Sequence, residues 1–357
     1  MSVIIKIMLK FQLLVSSCLF LNSCSHLGYY TQALYGQLDI LNRMQPIDQV
    51  ITQDTSSIQL KQKLREILKI RTFASQVLHL PDNQSYTYYV DLDKPYVVWT
   101  VFAAPPLELQ LKQWCFPIVG CVSYRGYFDS AAAQVLAQQL RAEGYDVYVA
   151  GVAAYSTLGW FNDPVLNTML SWSTAQIAGL IFHELAHQQL YIKNDTVFNE
   201  SFASIVEEVG VERWLAQQGT PQEILDYQHV RQRHKAFIDL VLATHYQLQQ
   251  LYRQPWSDAE LIAAKQAAFS TLLTQYTILK NEHWQGYNGY DDWFAQDLNN
   301  AKLLAVVTYQ DFVPALQILL AQQQGNLSQF YQQVAHLSQL PLAQRHAYLR
   351  QLMASYQ

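Results

Sequence analysis

A pair of histidines four positions apart most constrains what this chain can fold into. His183 and His187 flank Glu184 in the stretch His-Glu-Leu-Ala-His, and apolar residues surround the motif from Ile177 to Leu185. Such a run predicts a buried helix, in which four residues turn the chain by about 400°, so that both imidazoles project from one face. Together they can bind one zinc ion, with Glu184 as the general base beside an open coordination position. The alternative is a chance match on a helix that merely packs.

A catalytic zinc site usually has three protein ligands, and Glu200 is the candidate for the third. It follows His187 by 13 positions, and the stretch from Asn194 to Thr196 is a plausible start for a second helix. That helix would run back against the first and turn the carboxylate towards the imidazoles. The alternative is a solvated glutamate on a helix surface, although two neighbouring phenylalanines argue against full exposure.

The residues around both motifs resemble known metallopeptidases, the gluzincins. Asn199-Glu200-Ser201-Phe202-Ala203 is similar to the Asn-Glu-x-Phe-Ala signature of aminopeptidase N relatives, and the stretch from His183 to Gln188 resembles their first motif. Most of the mature chain also resembles a family of predicted zinc aminopeptidases in Gram-negative bacteria, many with lipoprotein-type signals. This second resemblance is carried by Gly28-Tyr29-Tyr30, Trp114 to Pro117, Tyr124 to Phe128 and Asn299 to Lys302.

The resemblance implies a zinc-dependent peptidase that cleaves short peptides from their amino terminus. His183, His187 and Glu200 would hold Zn²⁺, and Glu184 would be catalytic. A competing interpretation is a non-catalytic envelope lipoprotein that uses a zincin scaffold to bind peptides or partners, which the intact base disfavours.

One motif of the aminopeptidase N relatives, Gly-x-Met-x-Asn, is missing from this sequence, so the amino-terminal preference rests on the family resemblance. Glu207 and Glu208 could anchor a substrate amine or orient a ligand imidazole, or they could lie on a solvated helix face. Tyr290 and Tyr309, in the downstream part of the chain, are candidates for the donor that stabilises the oxyanion. The stretch from Ala154 to Phe161 either lines the cleft beside an extended substrate or forms an ordinary core strand.

The first two dozen residues have the pattern of an export signal. Lys6 and Lys10 precede an apolar run from Phe11 to Leu21, which is shorter than the roughly 18–20 residues that cross a bilayer. Leu-Asn-Ser before Cys24 resembles a bacterial lipoprotein signal, in which Cys24 would carry the lipid. A rival match ends at Cys18, and an ordinary secreted protein is the alternative.

Export would place the protein in the cell envelope, facing the periplasm. We expect its lipid to anchor it to the outer or the inner membrane, with the outer membrane as the first expectation. An oxidising compartment also favours a disulfide between Cys115 and Cys121, while two buried thiols are the alternative. The low charged fraction of 14%, the formal charge of -5 and the lack of a Lys/Arg run argue against nucleic acid as a partner.

The sequence predicts an α+β fold that is mainly helical. Strand-type stretches rich in Tyr, Val and Thr lie upstream of the histidines, and nearly everything after the glutamate motif has a helical pattern. The expected organisation is a signal peptide (1–23), an N-terminal helical segment (24–84), a zincin-like core of a small mixed sheet and the active-site helices (85–218), and a helical lobe packing on this core (219–357).

Overall fold

Helices dominate the chain and its sheets are small, which confirms the mainly helical α+β class. The structure is a computed structural model that describes residues 28–116, 120–154, 156–308 and 311–355. The predicted signal peptide, Cys24 and Tyr309 lie outside these residues. Within the described residues, no helix is both apolar enough and long enough to span a membrane.

The N-terminal segment is mainly helical, and its third helix packs against the histidine helix. Its elements are helix α1 (28–43), strand β1 (Gln45–Pro46), helix α2 (Ile47–Thr52) and helix α3 (Ile58–Gln76). Ser57 caps α3 by accepting a hydrogen bond from the backbone of Leu60. Leu64, Ile67 and Ile70 follow at three-residue steps and are fully buried, so α3 presents an apolar stripe to the core.

Three small sheets follow. Their strands are β2 (Tyr88–Val90), β3 (Val98–Ala104), β4 (Trp114–Phe116), β5 (Gly120–Val122), β6 (Arg125–Tyr127), β7 (Asp146–Val152) and β8 (Val165–Leu166). The largest is antiparallel with the order β6-β3-β7, β4 pairs with β5, and β2 lies between β1 and β8. In β3, Val101 and Ala103 pack on helix α4 (Ser130–Ala142). Because side chains alternate along a strand, the residues between them face away from α4.

Two long helices carry the motif residues. Helix α5 (Thr174–Gln189) begins with a capping box between Ser173 and Gln176, and helix α6 (Thr196–Gln218) is capped by Asp195. Glycines let these helices approach closely, because a Cβ atom on Gly210 would lie 2.5 Å from the ring of Phe182. The predicted helices at these positions are therefore present and packed face to face.

The helices after α6 divide between two hydrophobic clusters. They are α7 (Pro221–Leu251), α8 (Asp258–Ile278), α9 (Asp291–Ala295), α10 (Asn300–Val307), α11 (Val313–Gln322), α12 (Leu327–Ser338) and α13 (Leu342–Ala354). The first four surround Phe237, Leu272 and Leu303, whereas the last three join the main core with α3, α5 and α6. The single lobe expected for 219–357 stays a prediction.

A buried asparagine ties the helical part to the sheet part. The Nδ2 of Asn300 donates to the backbone oxygens of Pro105, Pro106 and Glu108 at 3.0–3.1 Å, and its side chain is fully buried. Since buried polar groups need partners, this residue fixes α10 on the loop that follows β3. The Asn-Asn-Ala-Lys segment of the sequence therefore has a structural explanation.

Candidate metal centre

The two histidines of α5 and one glutamate of α6 converge on a single point. The Nε2 atoms of His183 and His187 are 3.2 Å apart, and the Oε2 of Glu200 lies 3.4 Å from the first and 3.5 Å from the second. His187 and Glu200 are buried and His183 nearly so. These three residues form a group that could hold a metal ion.

The spacing of these atoms fits zinc. A zinc ion bound tetrahedrally at about 2.0–2.1 Å from each ligand atom sets neighbouring ligand atoms about 3.3 Å apart. The three observed distances of 3.2, 3.4 and 3.5 Å bracket this value. Two imidazoles and one carboxylate are also a donor set that zinc favours, and they leave a fourth position open.

Two glutamates of the centre have opposite acid–base properties. Burial raises the pKa of Glu184, and the nearby Glu200 adds to the rise, although the two histidines oppose it. Burial also acts to raise the pKa of Glu200, but His187 and His183 outweigh it and lower that pKa to about 2. One carboxylate is therefore suited to exchange a proton and the other to remain an anionic ligand.

A carboxylate behind the centre orients the first histidine. The Oε2 of Glu207 lies 3.0 Å from the Nδ1 of His183, on the side of the ring away from Glu200. Its neighbour Glu208 instead pairs with Arg231 of α7. Of the two glutamates considered from the sequence, only Glu207 therefore contacts a candidate ligand, and neither lines the cleft in front of the centre.

That cleft is a cavity of about 420 Å³ that contains the three candidate ligands and Glu184. Its walls come from α1, from β3 and β7, from the β4–β5 hairpin and from the stretch after β7. The volume lies within the range of about 300–1,000 Å³ that is usual for ligand sites. The candidate metal centre thus faces a cavity of the size of a ligand site.

The stretch upstream of α5 borders the cleft and is held in place by a buried aspartate. Ser156, Thr157 and Leu158 line the cavity, while Trp160 and Phe161 are exposed and Tyr155 lies outside the described residues. The Asp163 carboxylate accepts hydrogen bonds from Ser156 Oγ at 2.9 Å and from the backbone N–H of Thr157 at 3.0 Å. Gln188 of α5 donates to the same carboxylate at 3.2 Å, which joins the wall of the cleft to the histidine helix.

Tyr290, a candidate donor from the sequence, does not line this cleft. Its ring stacks on Phe237, with centroids 4.5 Å apart, and its hydroxyl is 3.5 Å from His234 in a second cavity between α6 and α7. An oxyanion role for Tyr290 stays a prediction, without support from its position.

Besides Tyr29 of α1, two tyrosines that are not among the donors predicted from the sequence line the cleft. They are Tyr124, which follows the β4–β5 hairpin, and Tyr191, which follows α5. Burial raises the pKa of both phenols, and the charge of Glu200 adds to the rise, so both remain protonated donors. Tyr124 belongs to a segment that carries the family resemblance, but no pattern in the sequence indicates which side chain of that segment faces the cleft.

A disulfide closes the hairpin that forms part of the cleft wall. Cys115 and Cys121 are joined, and the backbone of Cys121 donates to Asn194 Oδ1 at 2.8 Å. Gly120 has a φ of +80°, and a Cβ atom there would lie 2.3 Å from the same oxygen, so glycine is required for this approach. The hairpin is thereby docked on the connection between α5 and α6.

A family model described as "Putative aminopeptidase" matches residues 28–349 of the chain. The match covers both motifs, the sheets and all helices from α1 to α12. Neither a search of curated proteins nor a search of solved structures found a match.

Proposed function

Because the chain belongs to this aminopeptidase family, we propose that it is a zinc-dependent peptidase whose metal is held by His183, His187 and Glu200. The observation that carries the proposal is the spacing of the three ligand atoms, 3.2–3.5 Å, in a cleft that also contains Glu184. The family supports peptide hydrolysis, and the donor set supports zinc.

Different residues of the cleft would have different roles in hydrolysis. A zinc ion held by His183, His187 and Glu200 would supply Lewis acidity, lowering the pKa of water and polarising the scissile carbonyl. Glu184 accepts the proton of the attacking water and delivers it to the leaving amine, a role that suits its raised pKa. Tyr124 and Tyr191 are protonated donors in the same cavity, and we propose that Tyr124 donates to the developing oxyanion.

Short peptides cleaved from the amino terminus are the proposed substrates, and this preference comes from the family. Among the described residues of the cleft, the carboxylates are Glu184 and Glu200, and both already have a role. The attraction for a substrate amine would therefore come from these two carboxylates, because no other carboxylate is among the described residues that line the cavity.

We extend the proposal to the place where the enzyme works. The lipoprotein-type pattern before Cys24 supports a lipid anchor in the outer or the inner membrane, with the enzyme facing the periplasm. The disulfide of the hairpin is of the kind that persists in such an oxidising compartment.

The proposal is tested by metal analysis and peptide hydrolysis on the wild type, Glu184→Gln and, as a matched control, Glu208→Gln. We expect about one zinc per chain in all three proteins, with hydrolysis reduced by roughly 10²–10⁴-fold in Glu184→Gln alone. A wild type without bound zinc, or an active Glu184→Gln, would exclude the mechanism. A zinc-loaded wild type that binds peptides without cleaving them would instead support the non-catalytic alternative.

A further inference from the structure

The wall of the cleft that β3 forms is apolar because side chains alternate between the two faces of this strand. Val98, Thr100 and Phe102 turn to the cavity, opposite to the side chains that pack on α4. The ring of Phe102 packs against that of Tyr124, with centroids 5.8 Å apart. This strand therefore offers a continuous surface of carbon atoms, and the one hydroxyl in it, on Thr100, donates to a backbone oxygen.

The hairpin and the first helix complete this wall. Phe116 and Val122 reach the cavity from β4 and β5, on either side of the disulfide. Tyr29 of α1 stacks on Phe116 with centroids 5.6 Å apart, and Ala33 lies one turn further along the helix. Because the disulfide and the stacked rings restrain these residues, the apolar wall keeps its shape.

Charged groups in the cleft are confined to the metal centre. Apart from tyrosines, the titratable side chains among the described lining residues are His183, Glu184, His187 and Glu200. Arg125, whose guanidinium lies 4.1 Å from the centre of the Tyr29 ring, does not line the cavity. A charged substrate side chain that entered this wall would lose its water without gaining a partner, which is costly.

We propose that this wall is the side-chain subsite of the peptidase, and that it selects a bulky apolar residue, aromatic or branched aliphatic, next to the scissile bond. The inference deepens the proposed function and rests on it. Specificity of this kind comes from burying the apolar side chain of the substrate. Each methylene that the substrate gains or loses in such a pocket changes kcat/KM by about 10–200-fold.

The test compares peptides that differ only in the residue beside the scissile bond. This residue is Phe, Leu, Ala, Lys or Glu. We expect kcat/KM for Phe and Leu to exceed that for Ala, Lys and Glu by about 100-fold. Binding of the same peptides to zinc-loaded Glu184→Gln, measured by calorimetry, should follow the same order. This second readout does not depend on turnover.

Two variants alter the wall itself. Phe116→Glu places a carboxylate opposite the substrate side chain, so kcat/KM should fall at least 10-fold for the Phe peptide and rise about 10-fold for the Lys peptide. Val135→Glu, at an exposed position on α4, is the matched control and should keep the wild-type order. Ala33→Phe fills the cavity from α1 and should shift the preference towards Ala, which provides a second test if Phe116→Glu does not fold.

The outcomes separate the two proposals. A preference for Lys, Glu or Ala in both hydrolysis and binding overturns the subsite and leaves the peptidase standing. Tighter binding of the Phe and Leu peptides without any hydrolysis overturns the peptidase and supports the subsite. If wall variants that fold leave the order of substrates unchanged, the subsite lies elsewhere and the inference is wrong.

Discussion

Glu207 of α6 lies 3.0 Å from the Nδ1 of His183 on α5, so the two helices that carry the candidate metal ligands are also joined behind them. When Nδ1 donates its proton to this carboxylate, Nε2 is unprotonated, which is the form of the imidazole that binds metal. The close approach of the helices allows this contact, since a Cβ atom on Gly179 would lie only 3.1 Å from the other oxygen of Glu207.

Removing this carboxylate should weaken metal binding without removing a ligand. We expect Glu207→Ala to lower zinc affinity by about 10–100-fold, measured by competition with a chelator, and Glu207→Gln, which keeps an acceptor, to restore most of it. Glu208→Ala, one position away and paired with Arg231, is the control. Equal losses in the two alanine variants would contradict a role in orienting His183.

Metal removal should destabilise the protein as well as inactivate it. Zinc at 100 times its dissociation constant raises the free energy of unfolding by about 2.7 kcal/mol. A chelator should therefore lower the melting temperature, and zinc should restore both stability and hydrolysis. Magnesium should not, because it prefers six oxygen ligands. His187→Ala should show no stabilisation by zinc, and a normal response in that variant would argue against this centre.

Tyr124 and Tyr290 make opposite predictions for the oxyanion donor. Tyr124→Phe should reduce kcat by about 10²-fold with little change in KM or zinc content, because a hydrogen bond to the transition state is lost. Tyr290→Phe should retain kcat, since that phenol lies in the second cavity. Steady-state kinetics with one peptide decides between them, and the reverse result would restore the candidate from the sequence.

The buried ion pair at the start of α6 gives a pH dependence of stability. Burial alone would raise the pKa of Asp195, but His346 and Arg345 outweigh it and hold this pKa below its usual value. The stabilisation is therefore present above the unfolded-state pKa of about 3.9 and is lost as the pH falls through the lower, folded-state pKa.

Asp195→Asn should lower the free energy of unfolding by about 3–5 kcal/mol at pH 7, because Arg345 is left buried without its partner. The difference from the wild type should shrink below pH 4, as measured by denaturant unfolding. Asp239→Asn, which breaks an exposed pair with Lys235, should have no measurable effect. A loss at pH 7 that persists unchanged at low pH would contradict the assignment.

The disulfide should matter more for substrate selection than for metal binding. Replacing both Cys115 and Cys121 by serine frees the hairpin that carries Phe116 and Val122, so kcat/KM for apolar peptides should fall while zinc content stays the same. Stability should fall by about 2 kcal/mol. A reductant should have the same effect on the wild type and none on the double variant. Unchanged kinetics in the double variant would mean that the hairpin needs no covalent closure.

Local patterns in the sequence were enough to predict the two motif helices, and they also predicted that His183, His187 and Glu200 lie close together. The helix predicted around the two histidines is observed as α5 (Thr174–Gln189), and the helix start expected between Asn194 and Thr196 is observed as that of α6, which Asp195 caps. Periodicity could not distinguish Glu207 from Glu208, since their difference depends on which side of α6 meets α5. It also could not place Tyr124 in the cleft or Tyr290 outside it, because both positions depend on contacts between distant segments.

The ion pair between Asp195 and Arg345 links residues that are synthesised at very different times. Asp195 caps the helix that carries Glu200, yet its partner lies on α13, the last helix of the described chain. We expect a nascent or truncated chain without α13 to hold that helix start only weakly, and so to acquire zinc poorly. Metal binding at this candidate centre would then depend on a helix whose arginine lies 150 positions after the cap residue.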